Sequence, residues 1–284
     1  PISLGHQRTQ HRLVECTDRE PLQANCSLTT AFDAKDLHTL FSSGIDMLCT
    51  DFSPIDLTPE LQEQLARWPI RPLQQTQDLD AYDRLLIFTD GSSMPSMRRM
   101  VPERADDLGH PDTWAMIVIG KVFDQQAPTG TNLTILGWTA HPVRWDPDGS
   151  AFTGISRIGS DMAERDGLIG AAMWRLSCNH AIPTVVCTDS MLSAGQASGE
   201  TGTAHLDQSF CLMRALYQAL DLALPNGDFL VHHVRAHAGE LFNEIVDVAA
   251  KQEALHSFNL PRQRLDMRVW RDKLLQIWTL FGQK

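Results

Sequence analysis

Two apolar runs constrain the fold of this chain more than any other feature: Leu85-Leu86-Ile87-Phe88-Thr89 and Thr184-Val185-Val186-Cys187-Thr188. Neither alternates with polar residues, so each reads as a strand covered on both faces, and the sheet that holds them needs layers above and below. Each run is followed at once by an aspartate, Asp90 and Asp189. In open sheets, ligands gather at the carboxyl ends of strands. If the two strands are parallel neighbours, both carboxylates face one pocket. Acids brought that close ionise together only at a cost, so the cluster holds protons, pairs with bases or binds divalent cations. No basic residue adjoins either aspartate in sequence. Singly, each has a plainer role, because Asp-Gly and Asp-Ser are ordinary turn and helix-capping pairs.

The rest of the pattern supplies the other elements. Trp114 to Val122 and Asn132 to Ala140 read as an antiparallel hairpin around the turn-rich Asp124 to Gly130, which makes the sheet mixed. A helix is expected from about Ser160 to Asn179, where Met162, Leu168, Ile169, Ala172, Met173 and Leu176 recur at helical spacing. Ala204 to Leu222 and Leu241 to Leu255 read as helices, Phe229 to Val234 as a strand, and the glycine-rich Gly195 to Gly202 as a loop. That loop lacks the Gly-Lys-Ser/Thr ending of a phosphate cradle. Upstream, residues 1 to about 30 show no sustained period and read as an arm, and Ala34 to Ser42 reads as a helix. A further helix starts at Pro59, capped by Thr58, and stops at Trp68-Pro69. The polar stretch Pro72 to Asp83 reads as a linker. The expected division is 1–83 as arm, short helices and linker, 84–256 as the main domain, and 257–284 as a basic amphipathic helix.

Composition narrows the chemistry. The chain has 284 residues, 43% hydrophobic and 21% charged, which suits a globular protein of one large or two small domains. No apolar run approaches the roughly 18 to 20 residues of a membrane span. The start at Pro1 carries no charged and apolar leader and reads as a processed or excised segment. Six scattered cysteines without Cys-x-x-Cys spacing fit a reducing compartment, cytoplasmic or nuclear. A net charge of -11 is the wrong sign for gripping nucleic acid by bulk electrostatics, so such a role needs local basic patches or metal ions. Residues 1–83 carry thirteen acidic against six basic side chains, and the remainder is nearer neutral.

Two more acids join the aspartates: Glu164 in the first turns of the Ser160 helix, and Asp247 in the last helix, four residues after Asn243 and on its face. Ile87-Phe88-Thr89-Asp90-Gly91-Ser92, Met162-Ala163-Glu164, Cys187-Thr188-Asp189-Ser190 and Val234-Arg235-Ala236-His237 with Asn243, Glu244 and Asp247 resemble, in order, the motifs of the ribonuclease H family. The resemblance spans roughly residues 84 to 256. It implies an α/β ribonuclease H-like fold, a five-stranded mixed sheet flanked by helices, here with a small N-terminal extension. It also implies an endonuclease that hydrolyses the RNA strand of RNA/DNA hybrids with two magnesium ions, manganese being the alternative. Asp90, Glu164, Asp189 and Asp247 match the family's metal-holding acids, and hard carboxylate oxygens suit such ions. Two cations about 3.5 to 4 Å apart activate a water and stabilise the leaving oxygen. His237 matches the loop histidine that assists proton transfer or product release. Gly91, Ser92, Ser190 and Asn243 fall on the substrate side of the same motifs, with Asn243 orienting the last helix and loop rather than reacting.

The chain also departs from the pattern. Asp161 and Ser160 stand where the family often has hybrid-contacting Asn residues, and a second acid there repels phosphate. Met191 replaces a frequent Gln and cannot donate a minor-groove hydrogen bond, which weakens discrimination of RNA from DNA. Met94 to Pro111, with Arg98, Arg99 and Arg104, reads as a solvated insertion after the first strand. His232 and His233 alternate across a strand and read as structural rather than as zinc ligands. The tail's Arg262, Arg264, Arg268, Arg271 and Lys273 interleave with Val269, Trp270, Leu274, Leu275 and Trp278, as in a helix packing on its own protein. The preferred reading is a hybrid-cleaving nuclease from a retroelement polyprotein, with a reverse transcriptase domain as its neighbour and no membrane. The alternatives are a catalytically inactive binding or assembly module of the same fold, and a same-fold nuclease acting on another nucleic acid.

Overall fold

The computed structural model describes residues 47–93, 112–143, 152–157, 159–178, 180–201, 207–224 and 228–256. The expectations for residues 1 to 46, including the Ala34 helix, for the insertion Met94 to Pro111 and for the tail 257–284 fall outside them.

Five strands form one sheet in the order β3-β2-β1-β4-β5. They are β1 (Arg84–Ser93), β2 (Asp112–Phe123), β3 (Thr131–Pro142), β4 (Thr184–Thr188) and β5 (Phe229–His233). β1 pairs antiparallel with β2 and parallel with β4, β2 with β3 is antiparallel, and β4 with β5 is parallel. The mixed sheet is thus as expected. Strand β2 shows why it sits inside: Trp114, Met116 and Val118 pack into one core and Ala115, Ile117 and Ile119 into the other. That is period-2 alternation with both faces apolar.

The helices divide between the two faces. They are α1 (Pro59–Leu65), α2 (Ser160–Ser177), α3 (Met191–Ser198), α4 (Gln208–Ala223) and α5 (Leu241–His256). Helices α2 and α4 build one core with Leu85, Ile87 and Met116. Helix α5, with Leu57 and Leu65 of the N-terminal segment, builds the other against Phe88, Ile117 and Trp138. Nearly all of α2 is buried, Arg165, Asp166 and Arg175 included, because the helix lies between sheet and α4. A sequence reading sees only its apolar face. Gly170 permits the close seat, since a Cβ there would run into the Trp114 ring.

Helix α1 begins as expected, with the Thr58 hydroxyl accepting from the Leu61 amide and proline at the first helical position. Two expectations are corrected. The presumed linker Pro72 to Asp83 contains a 3-10 helix (Thr76–Ala81) whose Leu79 is fully buried and is followed by buried Tyr82, both in the α2-side core. Two apolar residues in a polar stretch suffice to anchor it. The presumed loop at Gly195 is half helix: Ser190 caps α3, Ala194 and Ala197 are buried, and Gly199 ends the helix in a left-handed conformation. The N-terminal segment also closes the outer edge of β3. Cys49 and Trp138 exchange amide bonds of 2.7 and 2.9 Å, and Ile135 donates to Pro69 and accepts from Arg71 at 2.8 Å each. Covering an edge strand removes a pairing template. Asp56 is tied to α5 by Gln252, which accepts from its amide and donates to its carbonyl. Among the described residues no helix is long and apolar enough to cross a membrane.

Candidate active site

The parallel ladder between β1 and β4 ends at Thr89 opposite Thr188. Asp189 follows directly. Asp90 is not at a strand end, as the sequence suggested, because β1 continues for three further residues against β2, with Asp90 opposite Ala115 and Ser93 opposite Asp112. The two aspartates therefore stand side by side just past the end of the β1–β4 ladder. Glu164 reaches them from α2, which sits on the β1 backbone at Gly91. A Cβ at that glycine would lie 2.5 Å from the Ala163 carbonyl carbon and closer still to the Glu164 nitrogen. Carboxylate oxygens of Asp90, Glu164 and Asp189 all fall within 4.8 Å of one another.

Asp90 and Glu164 are buried, at 5% and 8% exposure, while Asp189 is half-buried. Burial, then the charges of Asp189 and Asp247, push Asp90 up to about 7, against the pull of Glu164 and of the Gly91 amide, which donates to it at 2.6 Å. Burial, followed by the Asp90 charge, holds Glu164 well above the usual carboxylate range. The cluster thus keeps protons unless a cation replaces them. Around it, Thr188 Oγ1 donates to Glu164 Oε2 at 3.4 Å, and Asn243 Nδ2 donates to Asp189 Oδ2 at 3.4 Å. The buried Asn243 Oδ1 has no partner among the described residues. His233 Nε2 lies 3.1 Å from the Asp189 carbonyl oxygen, which ties β5 to the site.

Asp247 stands slightly apart. It is near enough for its charge to raise Asp90, yet its close neighbours are His237 and Glu244, whose ligand atoms and its own fall within 4.8 Å of one another. Lys251, one turn on, donates to Asp247 Oδ2 at 2.6 Å. His237 adopts a left-handed backbone (φ 50°) in an exposed turn, with Nδ1 3.7 Å from Glu244. Of the residues expected on the substrate side, Gly91 is a packing contact, Ser92 is buried, and Ser190 spends its hydroxyl on capping α3 and bonding Ser193. Asp161 is not a bare phosphate repeller, since Arg157 pairs with it. Met191 and Leu192 are 71% and 52% exposed just past Asp189. Sequence reasoning missed Lys251 and Arg157, and named Glu244 within a motif without giving it a role. The i, i+4 spacing of Lys251 from Asp247 was the available signal for the first.

The donor set is oxygen only and anionic, with no sulfur or nitrogen among Asp90, Glu164 and Asp189. That suits a hard divalent cation such as magnesium or manganese.

No family model matches the chain, and no curated protein does. Solved structures that resemble it include ribonuclease H domains. The N-terminal domain of a Mycobacterium tuberculosis protein, fused to maltose binding protein, is 17% identical over 61% of this chain and 97% of that one, with a TM-score of 0.39. Ribonuclease H1 of the halophilic archaeon Halobacterium salinarum is 19% identical over 62% and 99%, with a TM-score of 0.38. An LC11 ribonuclease H1 solved with an RNA/DNA hybrid is 16% identical over 60% and 99%, with a TM-score of 0.33.

Proposed function

We propose that this chain is a metal-dependent endonuclease of the ribonuclease H type, cutting the RNA strand of RNA/DNA hybrids. One observation carries the reading: three acids far apart in sequence, Asp90, Glu164 and Asp189, meet within 4.8 Å, two of them buried and, among the described residues, without a cationic side chain among their hydrogen-bond partners. Burying like charges together is costly and has no structural return that a neutral side chain would not give. In this reading Asp90, Glu164 and Asp189 would hold magnesium, and Asp247, near enough for its charge to act on Asp90, would complete the acid set for a second ion. Bound divalent cations make water a nucleophile at neutral pH and stabilise a departing oxygen.

The other residues take supporting parts. Asn243 and His233 fix Asp189, one at the carboxylate and one at the backbone. His237, exposed on its turn beside Glu244, would carry a proton at its imidazole between site and solvent. Arg157 neutralises Asp161 at the amino end of α2, which leaves a phosphate-bearing strand less repelled there. Preference for the RNA strand comes from the motif resemblance, as does a retroelement polyprotein setting with a reverse transcriptase partner.

The test is an end-labelled RNA/DNA hybrid incubated with and without magnesium. RNA-strand cleavage by the wild type, lost in Asp90→Asn and in EDTA, is the expected result. Binding without cleavage in magnesium would instead favour the inactive module, and cleavage of duplex DNA the same-fold nuclease of other substrate.

A further inference from the structure

The metal-site reading gives no part to Asp112, although it is a fully buried carboxylate at the start of β2. Among the described residues its oxygens reach two elements. Oδ1 accepts from Ser93 Oγ at 2.6 Å, at the end of β1 and three residues past Asp90. Oδ2 accepts from the Gly159 amide at 2.7 Å, 47 residues away in sequence and directly before α2. Its carbonyl accepts from Val143 at the end of β3 at 2.8 Å. Gly159 has no side chain with which to cap α2. Yet the Gly159 carbonyl takes the amides of both Met162 and Ala163 at 3.0 Å, the two residues before Glu164.

A hydrogen-bonded chain thus runs from the Asp112 carboxylate through the Gly159 peptide into the turn that carries Glu164. A negative group there also suits the positive end of the helix. The seat is tight on its other side as well, since α2 meets β1 at Gly91 with no room for a Cβ. A small tilt of the amino end of α2 would therefore lift Glu164 from Asp90 and Asp189, and a displacement of about 1 Å in such a set is enough to cost orders of magnitude in function.

We propose that Asp112 is a positioning residue for the metal site, a long-range cap that seats α2 so that Glu164 meets Asp90 and Asp189. The proposal rests on the nuclease reading for its consequence but not for its geometry, and the test separates the two. Asp112→Asn, Asp112→Ser and the milder Ser93→Ala are compared with Thr184→Val. That control removes a buried bond from Arg175 at the opposite end of β4. Two quantities are measured on the metal-free full chain below its melting temperature: manganese affinity by titration calorimetry, and amide hydrogen exchange along α2.

In the Asp112 variants, exchange at Met162, Ala163 and Glu164 should quicken at least tenfold while Ile169 to Met173 stay protected. Manganese affinity should fall at least tenfold. Ser93→Ala should move both in the same direction by a few fold, which keeps the test decisive where an Asp112 variant does not fold. Thr184→Val should lower stability with manganese affinity unchanged. Exchange that is unaltered, or raised evenly along α2, overturns the proposal, and so does unaltered manganese affinity in a folded Asp112 variant. A wild type that takes up no manganese overturns the nuclease reading instead, and the exchange pattern still decides whether Asp112 seats the helix.

Discussion

Stability against pH gives the sharpest check on the acid cluster. Asp90 is pushed from an ordinary 3.8 up to about 7 in the folded chain, by burial first and the Asp189 charge second. Near pH 3 both folded and unfolded forms hold the proton, and the group contributes no penalty. As pH rises, the unfolded carboxylate ionises first, near 3.8, while the folded one keeps its proton to about 7, so stability is lost across that window. At about 1.4 kcal/mol per pKa unit, the metal-free protein forfeits on the order of 4 kcal/mol between pH 4 and 8. Glu164 is raised for the same reasons and steepens the loss. The assay is urea unfolding at half-unit pH steps in EDTA, for wild type and Asp90→Asn. The variant should follow a flatter profile and be the more stable protein at pH 8, by an amount equivalent to roughly 10 °C in Tm. Millimolar magnesium should restore most of the wild type's loss and do little for the variant. Parallel pH profiles for the two proteins in EDTA would refute the argument, because the buried like charges would then cost nothing.

Three further outcomes are expected. Gly91→Ala forces a methyl into the Glu164 backbone and should lose about 1–3 kcal/mol or more in denaturant unfolding, with cleavage falling at least about 100-fold; near-normal cleavage would show that α2 need not sit there. Arg165→Met removes the cation from Asp207, to which Arg165 Nη1 donates at 2.8 Å to each oxygen in a largely buried pair, while Ser209 and Phe210 still donate to it, and should cost about 3 kcal/mol in the same assay; a loss under about 1 kcal/mol would count against a tightly coupled pair. Asp161→Asn frees Arg157 from its ion pair and should lower KM for hybrid by about two- to fivefold at low salt, with kcat unchanged and the gain vanishing as salt rises; an unchanged KM places that pair outside the substrate path.

Much of this was legible in the chain itself, because its strongest signals are local. Unbroken apolar runs at 85–89 and 184–188 demanded central strands, and β1 and β4 are those strands. Thr58-Pro59 specified a helix start by capping chemistry alone, and α1 begins there. The acids that end the two runs were visible as a pair because parallel neighbours share an end. Other elements were misread where one or two contacts outweigh local composition. Leu79 and Tyr82 fold a polar stretch onto the core, and Ala194 and Ala197 turn a glycine-rich stretch into helix.

What tertiary structure alone decided is which partner each charge has. Residue order placed Asp90, Glu164 and Asp189 as candidates, but only packing at Gly91 set Glu164 against the other two. Asp161 looked like an obstacle until Arg157 stood beside it, and nothing in the sequence singled out Asp112, whose carboxylate meets Gly159. Periodicity reports which side chains leave water, since that depends on spacing along one element. The charge state and role of an acid depend on groups brought near by other elements, at distances where a single ångström changes the energy, and no local pattern carries that information.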